Sequence, residues 1–86
     1  MSSWLICSTE PGMFPDESAV QARTAAGHII SLFAPNDKIM HEGNHDYVKV
    51  DVLDRDREAA LVFLPSPALE NSSRTIFVPQ NAIVSK

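Results

Sequence analysis

Tyr47-Val48-Lys49-Val50-Asp51-Val52-Leu53 decides the fold class. Val48, Val50 and Val52 point one way while Tyr47, Lys49 and Asp51 point the other. This period of two marks a strand with one face on a core and one toward water. Downstream, Asp54-Arg55-Asp56-Arg57 reads as a charged turn, and Glu58 to Leu64 as a more fully apolar strand stopped by Pro65-Ser66-Pro67. Glu70-Asn71-Ser72-Ser73 then turns into a strand over Arg74 to Val78. Upstream, Pro35 to Asp46 is polar and rich in loop formers. Before it, Ala19 to Thr24 and His28 to Phe33 form a hairpin turned at Ala25-Ala26-Gly27, with Val20 and Ala22 on one face and Gln21 and Arg23 on the other. Trp4 to Ser8 reads as a first strand, followed by a loop at Glu10-Pro11-Gly12-Met13-Phe14-Pro15-Asp16. A helix over Asp16 to Ala26 is the one competing assignment, because Asp16, Glu17 and Ser18 could cap it and its alanines favour it.

Short strands without a long helix, in 86 residues, predict a single all-β domain over residues 1–86. A small closed or nearly closed barrel of five to six strands is the economical way to hide sheet edges. At the C-terminal end, Ile76-Phe77-Val78-Pro79-Gln80-Asn81-Ala82-Ile83-Val84 runs strand, proline, short polar turn, short apolar strand. That order resembles the ending of SH3-like barrels, where a 3₁₀ turn leads into the closing strand, and the preceding layout of a first strand and a long hairpin is similar too. The resemblance implies the barrel and not a proline-rich ligand. Ala82 stands where signalling SH3 domains carry a tyrosine, Trp4 is the only tryptophan and Tyr47 the only tyrosine, so their aromatic-lined groove has no residues to build it.

A net charge of −4, from 7 Lys and Arg against 11 Asp and Glu, argues against nucleic-acid binding. A basic stripe from Arg23, Lys49 and Arg74 would be needed to revive it. The single cysteine, Cys7, fits a reducing compartment, no basic n-region opens the chain, and no stretch approaches the ~18 apolar residues of a membrane span. A cytoplasmic protein without membrane contact is the expectation.

His41-Glu42-Gly43-Asn44-His45 satisfies the H-E-x-x-H zinc pattern. That chemistry needs a helix to bring two imidazoles four residues apart onto one face, and Gly43-Asn44 is turn sequence. The expectation is a solvated loop, with metal binding through His41 and His45 as the alternative. Asp51, Asp54, Asp56 and Glu58 lack the glycine and terminal glutamate of a calcium loop and alternate with Arg55 and Arg57, as a hydrated turn does. Cys7 sits in an apolar run with no basic neighbour to activate it, no serine lies in a nucleophile elbow, and the three glycines make no phosphate loop. No catalysis and no cofactor are expected. What remains is surface: Met13 and Phe14 between Pro11 and Pro15, with Asp16 and Glu17 beside them, form either a lid on the barrel or an exposed contact for another protein.

Overall fold

Strands form where β-branched and aromatic residues recur, because the pleat lays such side chains alternately on two faces. The computed structural model describes residues 1–86 as eight strands and two 3₁₀ turns. In chain order these are β1 (Ser3–Pro11), β2 (Glu17–Arg23), β3 (Ile29–Pro35), η1 (Asn36–Lys38), β4 (Ile39–Glu42), β5 (His45–Arg55), β6 (Ala59–Phe63), β7 (Thr75–Pro79), η2 (Gln80–Ala82) and β8 (Ile83–Ser85). The chain is all-β, with eight strands in place of the five or six the sequence predicts. The clearest addition is β4, inside the segment that reads as a loop. Asp16 to Ala26 forms β2 and a turn, not a helix. The 3₁₀ turn expected before the last strand is η2.

The strands make one curled antiparallel sheet in the order β3-β2-β1-β5-β6-β7, with β4 also paired to β5 and β8 to β1. β1 and β5 are long enough to serve two parts of the curl. Ser3 to Cys7 pair with β5, whereas Ser8 to Pro11 pair with β2. Along β5 the predicted alternation holds: Val48 and Val50 are buried and Val52 half-buried. A bulge then leaves Leu53 unpaired between Val52, opposite Val62, and Asp54, opposite Leu61, so Leu53 faces solvent. In the β2–β3 hairpin, Val20 lies opposite Leu32 and Ala22 opposite Ile30, and all four are buried.

Fourteen buried residues, all apolar, form one cluster. Two of them, Leu64 and Ala68, come from the connection between β6 and β7; the sequence reading ends the strand at Leu64, whereas β6 ends at Phe63. This connection straps the open side of the curl. The Leu69 N–H donates to the Ser31 carbonyl at 2.7 Å and the Ser31 N–H donates to Glu70 Oε1 at 2.8 Å, occupying the free edge of β3. Across the same opening, the Ala25 N–H donates to the Phe77 carbonyl at 2.8 Å. Along β7, Thr75 donates its N–H to Ser73 Oγ and Pro79 has none to offer, so this edge is also blunted. No helix is long and apolar enough to cross a membrane.

Candidate functional site

Met13 and Phe14 stand at the tip of the connection from β1 to β2, with 75% and 62% of their surface exposed. That exposure excludes the lid: neither side chain covers the core. The tip is nonetheless held firmly. The Gly12 N–H donates to the Glu17 carbonyl and the Glu17 N–H to the Phe14 carbonyl, each at 3.2 Å, closing the loop at its neck. Only glycine fits at position 12, since a Cβ there would lie 2.7 Å from Glu17 Cγ and 2.9 Å from the Glu17 carbonyl oxygen.

Asn36, the first residue of η1, braces the loop from the other side. Its backbone N–H donates to the Asp16 carbonyl at 2.9 Å, its side-chain amide donates to the Pro15 carbonyl at 3.1 Å, and its Oδ1 accepts from Ser18 Oγ at 2.6 Å. The backbone that carries the two exposed apolar side chains is thus fixed before any partner arrives, which lowers the ordering cost of binding.

An open groove of about 850 Å³ runs along this loop, lined also by Thr9, Glu10, Glu17, Asn36, Ile39 and His41. Glu17 therefore joins Met13 and Phe14 as the sequence predicts, whereas Asp16 is exposed outside the groove lining. Asn36, Ile39 and His41 were not foreseen as part of this site. They reach it because Pro35 pairs with Glu17 at the end of the β2–β3 hairpin, which brings η1 and the start of β4 to the loop, a placement no local pattern in Pro35 to Asp46 announces.

The H-E-x-x-H string forms the β4–β5 hairpin. Gly43, at φ +62°, and Asn44 are its two-residue turn, and a glycine of positive φ in the first position is what a type II′ turn requires. His41 lies opposite Asp46, and Glu42 opposite His45. Directly opposed residues share a face and neighbours alternate, so the two imidazoles project from opposite faces of the ribbon. His41 Nδ1 donates to Asp46 Oδ1 at 2.6 Å, and Thr9 Oγ1 donates to Asp46 Oδ2 at 2.9 Å. These bonds, His41 first, hold the Asp46 carboxyl below its usual range. His45 instead meets the edge of the Tyr47 ring, and Glu42 pairs with Lys86. No three His, Cys, Asp or Glu side chains gather where they could hold a metal ion.

Cys7 faces Asp46 across β1 and β5. Burial, and secondarily the Asp46 charge, push its thiol up to about 12, so it is a poor nucleophile at neutral pH. The Asp51 to Glu58 cluster spreads along the end of β5 and its turn, where Asp56 Oδ1 accepts the N–H groups of Glu58 and Ala59, each at 2.8 Å. These bonds hold the Asp56 carboxyl below its ordinary value and give the carboxylate a structural task. No protein-family model matches the chain, and no curated protein or solved structure matches it significantly.

Proposed function

We propose that this chain is a non-catalytic protein-interaction module on an SH3-like barrel, engaging a partner protein through Met13, Phe14 and the groove at their foot. The observation that carries this reading is the pairing of high exposure with a braced loop. Two large apolar side chains in water at 75% and 62% exposure do nothing for folding, yet six residues around them are spent on holding their loop still. The SH3-like assignment draws support from the curled antiparallel sheet and from η2 leading into β8.

The groove also selects the partner's charge. Glu10 and Glu17 line it and Asp16 stands next to them, while the one cationic candidate, His41, is already bonded to Asp46. A segment presenting an apolar residue flanked by Lys or Arg is the complementary ligand. Metal binding through His41 and His45 has less support, because the hairpin sends the two rings to opposite faces.

Phe14→Ser tests the reading. Burying a phenylalanine side chain contributes about 1.5–3 kcal/mol, so the variant loses at least about tenfold in partner affinity while its urea midpoint stays unchanged. An equally destabilised fold would return the loop to a core role. Glu10→Lys, at an exposed strand position, weakens binding in the same assay through charge alone.

A further inference from the structure

We propose that a second, separate pocket binds a phosphate monoester dianion. It opens between β5, η1 and the start of the β6–β7 strap, holds about 390 Å³, and is lined by Lys38, Lys49 and Arg74 together with Asp51 and Phe63. Three of the seven cations of an acidic chain meet here. The molecule has two ion pairs, His41–Asp46 and Lys86–Glu42, and none of these three cations takes part in either. Lys38 and Lys49 are half-buried residues, and Asp51 is the one carboxylate that lines the pocket with them.

Arg74 is positioned in advance. Its Nε and Nη2 donate to the Leu64 carbonyl at 3.3 and 3.0 Å, Nη2 donates again to the Pro65 carbonyl at 3.0 Å, and the guanidinium carbon lies 4.4 Å from the centre of the Phe63 ring. Nη1 has no partner within the chain and keeps its two donors for a ligand. A fixed guanidinium sharing one pocket lining with two lysines suits a tetrahedral oxyanion.

The charge count chooses among anions. Three cations less Asp51 give the pocket +2, which a phosphate monoester neutralises and a single carboxylate does not. The remaining residues carry −6 and repel a polyanion such as nucleic acid. The pocket shares no lining residue with the Met13–Phe14 groove, so the two proposals stand or fall separately.

The test follows backbone amide shifts of the ¹⁵N-labelled chain during titration, at constant ionic strength, with inorganic phosphate, a phosphoserine peptide, its unphosphorylated parent and a short single-stranded DNA. The expected result is saturable shifts centred on Lys38, Lys49, Phe63 and Arg74 with both phosphate ligands, weaker at about pH 5.5 than at about pH 7.5 as the dianion protonates. Lys38→Gln with Lys49→Gln lowers affinity about tenfold, and Asp51→Asn raises it several-fold, a gain that misfolding does not produce. Tighter binding of the phosphopeptide than of phosphate assigns the ligand to a modified partner protein, and equal binding assigns it to a small phosphate. Absence of saturation at tens of millimolar phosphate overturns the proposal, as do shifts unaffected by the double substitution or tighter binding of the DNA.

Discussion

At Cys7, two neighbours of different kinds act on one thiol. Burial contributes most and the Asp46 carboxylate adds to it, raising the thiol from an ordinary value of 9.0 to about 12. The native thiolate fraction near pH 8 is then about a thousandfold below that of the unfolded chain, and alkylation by iodoacetamide should be slowed accordingly until urea is added. Asp46 itself is depressed by bonds from His41 and Thr9. A carboxyl lowered in the folded state stabilises fully above its unfolded value, and that contribution is lost as pH falls through the lowered value. Thr9→Val should therefore destabilise the protein near pH 7 by less than about 1 kcal/mol, given the partial exposure of Asp46, and the difference from the parent should shrink in urea titrations as pH falls through the lowered carboxyl value. The apolar setting of Cys7 is readable in Trp4-Leu5-Ile6-Cys7, but its acidic neighbour is not. That contact exists only because Cys7 falls opposite Asp46 in the β1–β5 register, 39 residues away in sequence.

Among the elements, alternation is the most legible signal and hairpin closure the least. The runs around Val20 and Val48 bury their predicted faces because each strand has one wet side, which forces period two into the sequence. β4 has no such signature: Ile39-Met40-His41-Glu42 is only four residues long, and it becomes a strand because the Gly43-Asn44 turn returns the chain onto it. The Met13–Phe14 loop was visible as an apolar tip between prolines. Its bracing by Asn36 was not, because the two segments are brought together only by β2 and β3. Two glycines test these turns differently. A Cβ at Gly43 meets nothing within 4 Å but is strained at φ +62°, so Gly43→Ala should cost about 1 kcal/mol in urea denaturation. Gly12→Ala places a methyl against the Glu17 backbone and should cost roughly 1–3 kcal/mol while also weakening partner binding, since the loop neck must widen.

For the whole molecule, one small apolar cluster holds a sheet whose two ends are joined by a strap and not by a full ladder. The strap belongs to the core as much as the strands do. Leu64→Ala, at a fully buried position, should lose about 2–5 kcal/mol, a large part of the stability of a domain this size, with the thermal midpoint as readout. The sequence marks Pro65-Ser66-Pro67 and Glu70-Asn71-Ser72-Ser73 as strand stop and turn without showing that Ala68 between them plugs the opening beside Leu64, because a non-repeating segment has no periodicity to betray an inward side. With the core complete without them, Met13 and Phe14 are free to serve a partner, and that is the central claim. Its most direct test places a photo-crosslinking amino acid at position 14 of the full chain, with position 57 as an exposed control, and irradiates in native extract. One discrete adduct is expected from position 14 only, suppressed by excess unlabelled protein but not by the same excess of the folded Met13→Ser, Phe14→Ser variant. Adducts absent at position 14, or suppressed equally by the variant, would contradict it.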